Sequence, residues 1–409
     1  MRDARGSLLI YAYACEIREY QFDEMDAEVI VIGAGPAGCA AAIRLVGAGR
    51  TVLALERKER EDSDDITSGE VLVPATQFEC EQIGVKFEGD WVLDRITGFR
   101  NVYPDLSWTY HPLSAAFHPI QVDRGGFNAA LRRRLVEAGG QLIWNARVTD
   151  IKFRADAVVA RAGDRTEYSA KLVIDAGGRY APSMRVLNLK SDDPDFSQIG
   201  VAVFFESFEG TPLNTWDRHL YGVRGAMISG SRIRPGLYRY ILEADLAAKQ
   251  SDRLGAIEYY ESVARQHDPW LYERVMREPR IGRQWSMAPL GYRVSAVARD
   301  RLLLVGDAAG YLSPITGQGN EFAMRTGRLA AQAADAALRR GDLSAAAFAS
   351  YVNGHKQEVE RQVDYVRAQL RVLRNRDLLM RAARDDEYRT HVFGPYGIPA
   401  SDRGSLTMR

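Results

Sequence analysis

Glu28-Val29-Ile30-Val31-Ile32-Gly33-Ala34-Gly35-Pro36-Ala37-Gly38 is the stretch that decides the fold. Its first half is a short apolar run rich in β-branched residues, the pattern of a buried strand. The glycine loop follows at once. Ala37 to Ala48 then reads as an Ala/Ile/Leu-rich helix, stopped by Gly47 and Gly49. Thr51 to Glu56 is a second strand, which completes a βαβ unit with a parallel strand pair. Each loop position has a physical task. Gly33 permits the tight turn, Gly35 lets the backbone approach a pyrophosphate, and Gly38 lets the helix pack on the strand. The helix N-terminus offers free N–H groups and a positive dipole end to phosphate. Glu56, at the end of the second strand, can accept hydrogen bonds from ribose hydroxyls. Pro36, Ala37 and Arg57 are expected among the cofactor contacts. The unit is a dinucleotide site, for FAD or NAD.

The rest of the composition is that of a globular enzyme. The 409 residues are 46% hydrophobic and 26% charged, enough for a large core in two or three domains. Lys+Arg and Asp+Glu both count 54, so there is no general attraction to nucleic acid. Cys15, Cys39 and Cys80 form no CxxC pair, which favours a reducing, cytoplasmic setting. No His/Cys/Asp group has metal-ligand spacing, so no metal is expected. No apolar run is long enough to span a bilayer. Ser7 to Cys15 is apolar but short and followed by charge, so residues 1–25 read as a loosely attached extension.

Further along, residues 57–70 read as a charged connection, Val71 to Ile83 as helix and 91–120 as an irregular aromatic stretch. Longer β-type runs fill 196–245. Arg253 to Gln266 and most of the chain from Phe322 to about Arg384 read as helix, and the final residues as irregular.

Four separated segments settle the nucleotide. Arg301 to Gly310, containing Gly306-Asp307, and then Pro314-Ile315-Thr316-Gly317-Gln318-Gly319 resemble the late Gly-Asp segment of two-domain FAD enzymes. That group includes aromatic hydroxylases, geranylgeranyl-reductase-like enzymes and flavin halogenases. The resemblance implies that Asp307 reaches the ribityl and phosphate region. Pro314, Gly317, Gly319 and Asn320 would form the turn and helix start facing the flavin. Leu172 to Arg179, with Asp175 and Gly177, is similar to the group's middle motif. Gln121 to Phe127 resembles the segment whose arginine, here Arg124, lies near the flavin phosphates. Ser68-Gly69-Glu70 resembles the Gly-Glu segment of halogenase-like members.

The fold class implied is α/β: a glutathione-reductase-type, Rossmann-like FAD domain with an inserted antiparallel substrate sheet and a helical C-terminus. The FAD domain would comprise 26–75, 112–185 and 281–340. The substrate domain would be 76–111 and 186–280, and the helical region 341–409.

No second GxGxxG unit is present, so NAD(P)H visits the flavin transiently or a separate flavin reductase supplies electrons. The Trp-x-Trp-x-Ile-Pro block of halogenases is missing from Leu237 to Leu242, and the only lysine soon after Gly69-Glu70 is Lys86. The related aromatic-Phe-Pro block of isoprenoid reductases is absent from Leu237 to Leu242 as well, while Pro314-Ile315-Thr316-Gly317 resembles the reductase and hydroxylase forms, so the resemblance points first to a monooxygenase. It would use O2 and a flavin hydroperoxide to hydroxylate an aromatic or carrier/peptide-bound substrate. A reductase of isoprenoid or polyketide C=C bonds comes second, and a halogenase third. Trp108, Tyr110, Trp216, Tyr238, Tyr240 and Trp285 are candidate pocket aromatics, although alternating aromatics are more often core. His111 and His118 are candidate proton relays, and Glu321 could lie near the flavin or cap its helix. Tyr365 to Arg384 mixes leucines with arginines. Peripheral membrane contact is possible there, but packing on the FAD domain is preferred.

Overall fold

The computed structural model describes residues 25–59, 69–113, 118–163, 165–206, 214–234, 236–276, 279–282, 284–310, 315, 319–393 and 402–405. The opening stretch forms strand β1 (Ala27–Ile32), helix α1 (Pro36–Gly47) and strand β2 (Val52–Leu55). Val29, Ile30 and Val31 have no exposed surface. A strand covered on both faces needs an unbroken apolar run, and this one has it. Five parallel strands stand in the order Leu302–Leu304, Glu167–Asp175, β1, β2, Gln141–Ile143. Val158–Ala162 pairs antiparallel with Glu167–Asp175, and Val148–Phe153 pairs antiparallel with Val158–Ala162 in turn. The Gly319–Arg340 helix lies along α1. Gly327 allows this approach, since a Cβ there would sit 2.5 Å from the Ala37 carbonyl oxygen.

A second eight-stranded sheet joins distant parts of the chain. Its order is Trp285–Leu290, Gln198–Phe205, Leu237–Asp245, Met227–Arg234, Thr215–Leu220, Gly98–Val102, Ser107–Pro112, Asp402–Ser405. All its pairs are antiparallel except Thr215–Leu220 with Gly98–Val102. One face packs Tyr238, Tyr240 and Leu242 against Tyr259, Tyr260 and Trp270.

Several sequence expectations change here. Within 91–120, Val92–Arg95, Gly98–Val102 and Ser107–Pro112 are strands and Ile120 opens a fourth, Ile120–Asp123, where an irregular stretch was expected. Their alternation was invisible because the inward positions include Asn101, Thr109 and His111, all buried. The end of the chain adds a strand, Asp402–Ser405, through pairing with Ser107–Pro112. Gly69–Leu72 is a strand that precedes the Pro74–Glu81 helix. The helix expected over Tyr365 to Arg384 breaks at Asn375, whose side chain accepts the Leu378 N–H and starts a new helix. Its leucines Leu370, Leu373 and Leu379 are buried with Phe322 and Phe393. Among the described residues no helix is long and apolar enough to cross a membrane.

Candidate functional site

The glycine loop opens onto a cavity of about 530 Å³. Gly33 has φ +89°, and a Cβ there would lie 2.6 Å from the Ala176 carbonyl oxygen. A Cβ on Gly38 would lie 1.9 Å from the Gly33 carbonyl oxygen, so Gly38 is required by packing beneath the loop. Gly35 is different: nothing stands within 4 Å of a Cβ there, and it lines the cavity with Gly33, Pro36 and Ala37. No side chain caps α1, so its first N–H groups are left for an anion.

Glu56 lines the cavity beyond the loop. Its Oε2 accepts the Ala34 N–H at 2.8 Å and its Oε1 the Lys58 N–H at 3.1 Å. Around it stand Arg57, Lys58, Arg124, Arg132 and Arg147. Asp123 accepts the Gly126 N–H at 2.7 Å and starts the Arg124–Glu137 helix, which places Arg124 at the cavity. Arg132 donates to the Ala34 carbonyl oxygen at 3.1 Å. Burial, with the positive Arg132, Arg124 and Arg57 and against the pull of Glu56, lowers Lys58 to about 8. Such crowding of cations is relieved by a bound polyanion. The open cradle at Gly35, the uncapped helix and the cation cluster together fit the diphosphate of FAD.

The other predicted cofactor segments converge on the same cavity. Gly177, Gly306, Asp307, Gly319 and Asn320 line it. Gly306 has φ +60° and donates its N–H to Thr326 Oγ1 at 2.9 Å. Asp175 lies buried behind the wall and shapes it. Its carboxylate accepts the N–H groups of Gly177 and Ser183, both at 2.9 Å, and the Ser183 hydroxyl. Pro314 and Gly317 lie outside the described residues, as does Ser68.

The second sheet contributes Gly200, Ile241, Glu243, Trp285, Met287 and Leu290 to the cavity. Trp285 is the one sequence-named roof aromatic among these. His111, His118, Trp216, Tyr240 and Glu321 do not line the cavity. His111 is buried with Nε2 2.7 Å from Thr109 Oγ1. The His118 carbonyl oxygen accepts from Gln77 Nε2 at 2.7 Å. Trp216 packs near Phe99. Glu321 pairs with Arg325 at 3.0 Å and Arg361 at 3.5 Å.

Tyr240 donates to Asp217 at 3.0 Å within a buried network that the sequence did not reveal. Arg100 reaches Asp217 at 2.7 Å, and His219 bridges Asp217 at 3.1 Å and Asp268 at 2.5 Å. Burial opposes charge on His219, but Asp268 and Asp217 outweigh it and raise the imidazole to about 9. Lys58, Arg132 and Glu243 were also missed. Glu243 did leave a signal: it is an acid in phase with Ile241 inside a strand rich in apolar residues, which ends at a second acid, Asp245.

Comparison with known proteins agrees with this geometry. A family model described as "FAD binding domain" matches residues 26–365, and the chain belongs to that family. It is 26% identical to a menaquinone reductase of Mycobacterium tuberculosis over 76% of each chain. It is 25% identical to the 1H-pyrrole-2-carbonyl-[peptidyl-carrier protein] chlorinase of Pseudomonas fluorescens, over 80% of this chain and 79% of that one. The flavin-dependent brominase Bmp2 has a similar fold, with a TM-score of 0.74 and 21% identity, over 92% of this chain and 94% of that one. The protein is an FAD-binding oxidoreductase and an enzyme.

Proposed function

We propose that this member of the FAD-binding family reduces an unsaturated bond of a small or carrier-bound, largely apolar substrate. The observation that carries this reading is the composition of the cavity wall from the second sheet. Ile241, Trp285, Met287 and Leu290 form it with Gly200 and a single acid, Glu243, and no lysine is present. Lys58, Lys86, Lys152, Lys171, Lys190, Lys249 and Lys356 are all the lysines of the chain, and each is described. Only Lys58 lines the cavity, beside the arginines of the nucleotide end. Lysine-relayed halogenation therefore has no group to use, although one relative is a chlorinase. The relative named a menaquinone reductase supports reduction.

Bound FAD supplies reversible two-electron transfer. The protein does the rest. Arg57, Arg124 and Arg132 neutralise the diphosphate. Glu56 accepts from the adenosine ribose. Gly319 and Asn320 present a helix N-terminus that favours negative charge on the reduced ring. The apolar wall holds the substrate and excludes water. NAD(P)H, directly or through a separate reductase, is the proposed reductant.

A monooxygenase is the second reading, favoured by Trp285, on which an aromatic substrate could stack. Anaerobic turnover separates the two. Product with two added hydrogens and no oxygen requirement supports reduction. Product only in the presence of O2, carrying an added oxygen atom, overturns it.

A further inference from the structure

The Leu237–Asp245 strand lies inside the second sheet, between Gln198–Phe205 and Met227–Arg234. Side chains alternate along a strand, so Arg239, Ile241 and Glu243 share the face opposite Tyr240 and Leu242. Ile241 and Glu243 reach the cavity. Glu243 is only 8% exposed, and its buried Oε2 has no hydrogen-bond partner. Gly200 and Met227 stand opposite it in register, and neither is charged. Polar groups placed so deep cost stability unless something enters to pair with them. The charged groups acting on Glu243 are Arg239, on its own strand, and Arg218, on Thr215–Leu220. Burial outweighs both and pushes the carboxyl up to about 8. The acid therefore keeps its proton at neutral pH.

We propose that Glu243 is the proton donor of this cavity, and that this acid selects an unsaturated carbonyl compound, an enone or a quinone, as substrate. This rests on the reductase reading above. The carbonyl oxygen accepts a hydrogen bond from the Glu243 carboxyl, which polarises the conjugated double bond. Reduction takes up two electrons and two protons. The electron pair and one proton come from a reduced nicotinamide nucleotide by way of FAD. The second proton leaves Glu243 for the substrate oxygen, and the carboxylate regains one from water. The acid is lost as pH rises through about 8, so reduction slows above that pH.

The test compares holoenzyme with the near-isosteric Glu243→Gln variant. Infrared difference spectra against pH should show a neutral carboxylic acid that titrates near 8 in wild type and is absent from the variant. Enzyme reduced anaerobically with dithionite is then mixed with menadione, a naphthoquinone. Flavin reoxidation should be about 100-fold slower in the variant and lose its fall near pH 8. FAD binding should be unchanged. Absence of the titrating acid, or equal reoxidation by both proteins, overturns the proposal. A titrating acid in a wild type that menadione does not reoxidise overturns the reductase reading and the substrate class, while the neutral acid stands.

Discussion

Replacing Gly38 by alanine puts a methyl carbon 1.9 Å from the Gly33 carbonyl oxygen and 3.2 Å from the Ala176 Cβ. A carbon–oxygen contact needs about 3.3 Å, so α1 must move roughly 1.4 Å away from the loop. Backbone stands on both sides of the contact, and no side chain can rotate to absorb it. Overpacking of this kind costs about 3 kcal/mol. Unfolding entropy of about 2.1 cal/mol/K per residue gives about 0.9 kcal/mol/K for the chain, so Tm should fall by about 3–4 °C. The neighbouring Gly35→Ala change is the control. Its methyl meets nothing within 4 Å but projects into the cavity. Its apo Tm should stay at the wild-type value while FAD binding weakens about 10–100-fold. Thermal melts of apo protein and flavin-fluorescence titrations measure both. An unchanged Tm for Gly38→Ala, or an unchanged FAD affinity for Gly35→Ala, would refute the division of the loop into a packing glycine and a cofactor glycine.

Other outcomes follow from the same geometry. His219 is raised from 6.5 to about 9 when folded, so its contribution is fully present below the unfolded value and is lost as pH rises through the folded one. Denaturant melts should therefore show a loss of about 3 kcal/mol between pH 6.5 and 9, and His219→Gln should flatten that slope. Arg124→Ala should weaken FAD binding about 10-fold and reduce its salt dependence, with the melting profile unchanged. Glu79 is buried and accepts Arg44 at 2.7 Å and Arg328 at 2.8 Å, tying its helix to α1 and to the Gly319–Arg340 helix. Glu79→Ala should cost about 2 kcal/mol in urea unfolding, and a wild-type midpoint would discount those pairs.

The chain order alone determined the nucleotide half of this enzyme. An apolar strand, a glycine loop and a strand ending in Glu56 are local facts, and a parallel sheet buries such runs on both faces. The Asp175 and Gly306-Asp307 segments were legible for the same reason, since each is a strand end followed by glycine. The second sheet was only partly legible. Its strands 98–112 carry Asn101, Thr109 and His111 inward, which hides their alternation, and its last strand exists only by pairing with residues nearly 300 positions earlier. Beyond Trp285, the substrate end belonged to the tertiary structure, and so did two cations of the nucleotide end. Arg132, Lys58 and Glu243 are ordinary charged residues in sequence. They acquire meaning only when distant strands and helices bring them to one cavity, where burial decides which charges survive and which proton stays.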